Sequence, residues 1–285
     1  MSAIDSAGSF TMPPLTGALD GLWDVILDLA DNLPPMSWEL VGGQMVMAHG
    51  LAVGRTPTRA SQDIDVLGNL ITSSKALRTA VAAVRELGFE PEPSMDGKRL
   101  HRFVRTKDHQ AIDILAPDHS PPGWKPTTVP PMHTIQIAGG NQALQRLRVI
   151  TVTKGDRTTD VPVPSVLGSL ILKAAAYQVD SRDRDRHAAD AAFLVSLIND
   201  PLDLRGQLKG SDRKRLRVLN ALIGSRSHPV WASLGAVASD AYATWQLLTQ
   251  GKHVCLLIAS IDVRPRTQGD PLPALRSNPS TSTSA

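Results

Sequence analysis

Among all parts of the chain, the stretch from Trp38 to Leu67 places the strongest constraint on the fold. An apolar run of strand character ends at the pair Gly42-Gly43, and a segment of helical character follows directly, from Gln44 to about Leu51. Glycine allows the backbone to approach a ligand closely, and the N-terminus of a helix offers free N–H groups and the positive end of the helix dipole. The stretch therefore predicts a strand–turn–helix unit that can bind phosphate at its turn.

The same stretch ends in a second strand candidate, which carries two carboxylates, Asp63 and Asp65. Side chains alternate between the two faces of a strand, so both carboxylates lie on one face. They repel each other unless a cation lies between them, and Mg²⁺ prefers carboxylate oxygens and often binds substrate phosphates. We therefore predict a metal site for Mg²⁺, or Mn²⁺, at this pair. Taken alone, each feature has a simpler alternative: Gly42-Gly43 could form an ordinary turn, and Asp63 and Asp65 could lie on a solvated edge strand.

The order of these features resembles the nucleotidyltransferase superfamily, whose signature is a strand, a Gly-Gly or Gly-Ser turn, a helix and a D-x-D strand. The form R-x-S-x-D-I-D, which begins here at Arg59, is similar to the AbiEii-type toxins of bacterial toxin–antitoxin systems, which include the mycobacterial MenT toxins. The resemblance covers roughly residues 38–197. It implies an NTP site formed by Gly42, Gly43, Arg59, Ser61 and Lys173.

A third carboxylate, Asp113, lies in the second of two strand candidates, 100–105 and 111–115, which a polar segment joins as a hairpin. A carboxylate in an apolar strand needs a partner. The superfamily often takes a third acidic residue from a strand at this place in the order, which implies that Asp113 is a third metal ligand or a base. The alternative is an aspartate on the open face of a half-buried strand.

Two charged residues in the helical half of the chain lie in apolar surroundings. Lys173 borders the apolar face of a helix that begins after a Ser165 cap, and Asp190 lies among alanines in the next helix candidate, 184–198. A lysine desolvated in this way needs an anion. The simple alternatives are snorkelling of the Lys173 side chain and a structural salt bridge between Lys173 and Asp190.

The AbiEii-type pattern has a K-x-x-A helix and then a basic helix start that leads to a D-x-x-x-L helix. The matching residues here are Lys173 with Ala176, and Asp190 with Leu194. The chain departs from the pattern at Arg184-Asp185, because four residues separate this pair from Asp190, whereas the family commonly has Lys-Asp shortly before that aspartate. The resemblance implies a catalytic set of Asp63, Asp65, Lys173 and Asp190.

Composition narrows the class of protein. The net charge of +3 and the sequence pI near 9.2 permit an anionic partner, whereas 4% aromatic residues argue against a base-stacking platform. The single cysteine, Cys255, excludes an internal disulfide and a zinc site built from cysteines, and we interpret it as a small buried hydrophobe. No apolar run reaches the roughly 18 residues that span a bilayer, and we find no secretory signal, so we expect a cytoplasmic location and no membrane partner.

The distribution of element types predicts an α+β (mixed α/β) fold in four parts. Residues 1–15 are small, polar and proline-bearing, and we expect them to be loose. The resemblance implies a nucleotidyltransferase-like mixed sheet with flanking helices over 16–163 and a C-terminal helical bundle over 164–263. Residues 264–285 are rich in Ser, Thr and Pro, which predicts a disordered tail.

A basic cluster in the helical half has two interpretations. A solvated face is the common one, and contact with RNA phosphates is the more specific one. The residues of the cluster are Arg205, Lys209, Arg213, Lys214, Arg215 and Arg217.

The resemblance implies Mg²⁺-dependent transfer of nucleotides from NTP to the 3′ end of tRNA, which blocks translation, by a toxin with a cognate antitoxin protein. Two other acceptors stay open, namely a small molecule, as in antibiotic-modifying members of the superfamily, and a protein side chain. A non-catalytic nucleotide- or RNA-binding module is the alternative from another class. The intact D-x-D pair, Lys173 and Asp190 argue against it.

Overall fold

A computed structural model describes residues 5–15, 17–57, 59, 61–119, 125–181 and 183–250. Its strands are β1 (Ser6–Thr11), β2 (Trp38–Val41), β3 (Asp63–Gly68), β4 (Glu90–Glu92), β5 (Arg102–Arg105), β6 (Gln110–Pro117), β7 (Thr127–Val129), β8 (Met132–His133), β9 (Gln136–Ile137), β10 (Leu147–Lys154) and β11 (Arg157–Pro164). Its α-helices are α1 (Ala18–Asn32), α2 (Gly42–Leu51), α3 (Ala76–Glu86), α4 (Gly140–Leu144), α5 (Val166–Val179), α6 (Arg184–Val195), α7 (Pro201–Gly206), α8 (Asp212–Ile223), α9 (Pro229–Ala232) and α10 (Ala238–Thr249), with a 3₁₀ turn at Gly235–Val237. These elements belong to one structural unit that ends at Thr249.

The central sheet has the strand order β2-β3-β6-β5-β4, with β9 paired beside β6. Strands β3 and β6 run parallel, whereas β2 is antiparallel to β3 and β5 is antiparallel to β6. Helix α2 connects β2 to β3, and α3 follows β3 along the chain. The predicted α+β class, with a mixed sheet and flanking helices in the N-terminal part, is therefore confirmed.

Strand β3 shows the alternation that the sequence predicts. Ile64 and Val66 are completely buried, whereas Asp63 and Asp65 on the other face are partly accessible. The apolar face is buried because hydrophobic side chains gain about 1.5–3 kcal/mol each on leaving water. That burial also determines which way the two carboxylates point, since a shift of one residue would exchange the faces.

A second sheet has the order β1-β10-β11. Strands β10 and β11 form an antiparallel hairpin. Strand β1 differs from the prediction, because it lies within the segment 1–15 that we expected to be loose and pairs in parallel with β10. Backbone hydrogen bonds to a distant strand order this segment, and its mostly small side chains give no sign of that partner.

Two hydrophobic cores organise the packing. The sheet core includes Trp23, Trp38, Ile64, Phe103 and Ile114. The helical core includes Leu170, Ala191, Leu219, Trp231 and Trp245. Helices α5 and α6 contribute to both cores, since Leu172 and Leu194 pack in the sheet core. These two helices therefore hold the helical half against the sheet, and the predicted division into 16–163 and 164–263 stays a prediction.

The described elements from α5 onward are helical, as predicted for the C-terminal half. Ser165 caps α5, because its hydroxyl accepts a hydrogen bond of 3.2 Å from the Gly168 N–H. None of the described helices is long and apolar enough to cross a membrane. Cys255, residues 251–263 of the predicted helical bundle and the tail 264–285 lie outside the described residues.

Glu39 is a completely buried carboxyl group in strand β2. Within the described part of the chain, neither of its side-chain oxygens has a hydrogen-bond partner. Burial raises the pKa of Glu39 to about 8, because removal from water disfavours the charged form. Glu39 is therefore neutral in the folded protein at pH 7.

This burial predicts a pH-dependent loss of stability. The folded state keeps Glu39 protonated up to pH about 8, whereas the unfolded chain ionises it above pH 4.5. Because the folded state binds the extra proton between these values, its free energy of unfolding falls as the pH rises through this window, by up to about 1.4 kcal/mol per pH unit. Glu39→Gln should remove the contribution of Glu39 to this slope in urea unfolding measured from pH 5 to 8, whereas Asp65, whose pKa is also raised, keeps its own contribution. Glu86→Gln, at an exposed position, is the control, and identical pH profiles for wild type and Glu39→Gln would contradict the assignment.

Candidate active site

A row of paired residues crosses the central sheet. Val41 on β2 pairs with Asp65 on β3, Asp65 pairs with Asp113 on β6, and Asp113 pairs with Arg102 on β5. Residues that pair directly across strands project from the same face, and Asp63 joins this face two residues before Asp65. The sheet thus brings three carboxylates and one guanidinium together on one surface.

The Gly-Gly turn packs directly against this row. Gly42 begins α2 with a φ of 70°, in the left-handed region, and a Cβ at this position would collide with the carboxylate of Asp65. A Cβ on Gly43 would lie 2.5 Å from the Cβ of Ser61. Both positions therefore require glycine. The contact places the positive N-terminal end of α2 beside Asp65.

Asp65 is a carboxylate without a bonded partner. Among the described residues, no group donates a hydrogen bond to it or forms an ion pair with it. Burial raises the pKa of Asp65 to about 7, with further increases from the charges of Asp63 and Asp113, and the positive charges of Lys173 and Arg186 oppose the rise. A group with such a pKa gains strongly from a bound cation.

Ser61 orients Asp63. The Ser61 hydroxyl donates a hydrogen bond of 2.8 Å to Oδ1 of Asp63, and the Gln44 side-chain amide donates one of 2.9 Å to the Ser61 carbonyl. Gln44 lies in the first turn of α2. Ser61, which the resemblance assigns to NTP binding, therefore links the helix to the carboxylate pair in this structure.

Arg102 is a site residue that the sequence analysis did not identify. Its Nε and Nη2 each donate a hydrogen bond of 2.9 Å to Asp113, and Nη2 also lies 3.3 Å from Oδ2 of Asp63. The hydrogen bonds to Asp113 raise the pKa of Arg102 above its ordinary value. Both oxygens of Asp113 are thus occupied by Arg102, and the role of Asp113 as a third metal ligand stays a prediction.

The helical half contributes a buried ion pair. Nζ of Lys173 on α5 lies 2.7 Å from Oδ2 of Asp190 on α6, and both residues are about 95% buried. Nη2 of Arg59 lies 3.8 Å from the same oxygen. Since the charge of Lys173 lowers the pKa of Asp65, the structure brings the predicted lysine close enough to act electrostatically on the sheet carboxylates.

His49 connects α2 to the start of α5. Its Nε2 lies 2.8 Å from the Pro164 carbonyl oxygen and 3.1 Å from the Ser169 hydroxyl. Burial lowers the pKa of His49 to about 4, so the ring is neutral at pH 7 and Nε2–H donates to the carbonyl. This contact fixes the helix that begins at Gly42 against the helix that carries Lys173.

The start of α6 supplies further charge. Arg186 lowers the pKa of Asp65, and it donates a hydrogen bond of 2.8 Å to Asp180. His187 also contacts Asp180, at 2.9 Å from Nε2. Asp185, at the departure from the family pattern, is exposed. The residue of the basic helix start that acts on the sheet carboxylates is therefore Arg186.

The predicted basic cluster divides into two sets. Arg215 is 8% exposed and forms an ion pair of 3.2 Å with Asp118, so it does not belong to the exposed set, and its assignment to RNA binding stays a prediction. Arg205 donates a hydrogen bond to the Leu247 carbonyl. Four residues are exposed, namely Lys209 just before α8 and Arg213, Lys214 and Arg217 on α8. We call these four the basic face.

The carboxylates fit a hard cation. No group of three or more His, Cys, Asp or Glu side chains that could hold a metal ion occurs among the described residues. Asp63 and Asp65 nevertheless offer oxygen donors of the type that Mg²⁺ uses, and no side chain in the described ranges forms a hydrogen bond or ion pair with Asp65. Because Mg²⁺ commonly binds through one or two carboxylates together with substrate phosphates and water, two protein ligands are enough for this metal.

The sequence matches no protein-family model and no curated protein. Among solved structures, the chain is similar to an antigenic nucleotidyltransferase-like protein from Paracoccidioides brasiliensis, with 15% sequence identity and a TM-score of 0.42, over 84% of this chain and 98% of that chain. With a likeness of this size, function has to be inferred from the site itself.

Proposed function

We propose that this protein is a metal-dependent nucleotidyltransferase that uses NTP. The observation that carries the proposal is the contact of Gly42 with Asp65, which joins the N-terminus of α2 to a carboxylate that has no bonded partner among the described residues. A helix N-terminus attracts phosphate, and a bound cation stabilises the charged form of an unpaired carboxylate. A nucleoside triphosphate with its metal brings both charges at once.

The residues have separate tasks. Asp63 and Asp65 would hold Mg²⁺, which supplies neutralisation of the charge that develops on the α-phosphate. Gly42 and Gly43 let the triphosphate approach the free N–H groups of α2. Lys173 binds a phosphate oxygen from the helical side, and Asp190 positions the Lys173 ammonium. In the reaction the acceptor hydroxyl oxygen forms a bond to the α-phosphorus and its proton passes to solvent. The bond from that phosphorus to the α–β bridging oxygen breaks, and pyrophosphate leaves.

For the acceptor we propose the 3′ end of tRNA, with the protein acting as a toxin that blocks translation and is restrained by an antitoxin. The basic face supports this choice, because three of its four cations lie within two turns of α8 and favour contact with a phosphate backbone. The sequence resemblance described above also supports it. Transfer to a small molecule or to a protein side chain is the alternative.

The acceptor can be tested with intact and oxidised RNA. Purified protein is incubated with each α-³²P-labelled NTP, Mg²⁺ and total tRNA. The expected result is label on intact tRNA and none on tRNA whose 3′-terminal diol has been destroyed by periodate. Label on both RNAs would contradict a 3′-terminal acceptor, and turnover without label on RNA would support the alternative acceptors.

A further prediction concerns the basic face. Changing Arg213, Lys214 and Arg217 together to Gln should weaken tRNA binding, because a neutral side chain displaces no counterions from the phosphates. The slope of log affinity against log salt should flatten by up to about 0.7–0.9 for each phosphate that the variant no longer neutralises. Filter binding over a salt series measures this slope.

The matched control removes the same charge elsewhere. Lys75, Arg78 and Arg85, at and within α3, are also exposed, and their change to Gln should leave the salt slope as in wild type. Equal slopes for both triple variants would exclude the basic face as the RNA contact.

A further inference from the structure

Arg102 bridges two of the three carboxylates on this face of the sheet. Its Nε and Nη2 donate hydrogen bonds of 2.9 Å to the two carboxylate oxygens of Asp113, and Nη2 also donates one of 3.3 Å to Asp63. Asp65 is left as the carboxylate of this row without a bonded partner among the described residues. The guanidinium charge therefore lies at Asp113 and Asp63, and it makes no contact with Asp65.

The Arg102–Asp113 pair is built into the backbone pairing. The two residues are direct partners in the β5–β6 ladder, and the β3–β6 ladder sets Asp113 beside Asp65. Bidentate contact with a carboxylate matches the planar guanidinium fork. Strand pairing, rather than the conformation of a loop, therefore sets Arg102 and Asp113 side by side.

We propose that Arg102 serves as a built-in counter-cation that keeps Asp113 out of metal coordination and limits the site to one divalent cation, held by Asp65 with Asp63. The inference rests on the proposed function for the presence of a metal. The row of Asp63, Asp65, Asp113 and Arg102 has a formal net charge of −2, which one divalent ion balances. The nearby cations Lys173 and Arg186 are already paired with Asp190 and Asp180. Arg102 is a positioning residue in this scheme, and it makes no contact with the reacting atoms.

The number of bound metal ions tests this proposal directly. Mn²⁺ is titrated into the full-length protein without nucleotide, and the free ion is quantified by electron paramagnetic resonance. The expected result is one Mn²⁺ per wild-type chain and two per Arg102→Gln chain, where Asp113 is released. The double variant Arg102→Gln/Asp113→Asn should return to one, and Arg102→Lys, which keeps the charge, should also bind one.

The outcomes separate this inference from the proposed function. Two ions in the wild type, or one ion in both wild type and Arg102→Gln, would overturn the role of Arg102 and leave the nucleotidyltransferase assignment standing. No bound Mn²⁺ in any variant would overturn the carboxylate metal site and this inference with it. If Arg102→Gln does not fold, as judged by its melting curve, Arg102→Met provides the same comparison without the charge.

Discussion

An Asp65→Asn variant is expected to lose nucleotidyl transfer by about a thousandfold, equivalent to about 4 kcal/mol of transition-state stabilisation. The substitution replaces the metal-binding carboxylate by a neutral amide, and the volume of the side chain stays nearly the same. The fold should remain intact, and the melting temperature without metal should rise, because burial and the neighbouring carboxylates disfavour a charged group at this position. Initial rates with α-labelled NTP and melting curves measure the two effects.

Asp156→Asn is the control for this variant. Asp156 is exposed in the turn between β10 and β11, so the same chemical change there should alter neither rate nor melting temperature. Wild-type activity in Asp65→Asn would remove Asp65 from the catalytic set.

The second large effect concerns the buried pair of Lys173 and Asp190. Lys173→Met should lower the free energy of unfolding by about 3–5 kcal/mol, because Asp190 is left buried without its close partner. It should also lower NTP use severely, since the cation opposite the phosphates is removed. Denaturant unfolding and initial rates per folded molecule measure the two losses.

A double variant distinguishes structural from functional loss. Lys173→Met together with Asp190→Leu replaces the ion pair by apolar side chains of similar size, which should restore most of the stability. The double variant is expected to be stable and inactive. A stable double variant with wild-type rates would show that the pair serves packing alone.

Local patterns predict those parts of the site that depend on nearby residues. The period of two along β3 is enough to place Asp63 and Asp65 on one face, because Ile64 and Val66 must be buried on the other. The apolar positions of α5 and α6 likewise place Lys173 and Asp190 in the interior. Their ion pair, considered from sequence as a structural alternative, is present at 2.7 Å.

Arg102 is a site residue that could not be identified without the register of its strand. The hairpin predicted over 100–105 and 111–115 contains the necessary signal, because pairing of Arg105 with Gln110 sets Arg102 opposite Asp113. The strands could be proposed from composition, but their register decides which charges meet. A prediction of register from the turn between them would have placed Arg102 in the site.

Arg215 illustrates a second limit. In the sequence it is equivalent to its neighbours Arg213 and Lys214, whereas in α8 it turns inward and pairs with Asp118. That partner lies just after β6, 97 residues earlier in the chain. Strand β1 was missed for the same reason, since its partner β10 is distant in sequence.

The proposed nucleotidyl transfer is tested most directly by following the α- and γ-phosphates of the NTP. Purified protein is supplied with acceptor and with the same NTP labelled either at the α- or at the γ-phosphate, and the products are separated. Nucleotidyl transfer predicts that the α label appears on the acceptor and the γ label appears in pyrophosphate, with both signals lost in Asp65→Asn. Transfer of the γ label to the acceptor, or release of both labels without an acceptor product, would contradict the account.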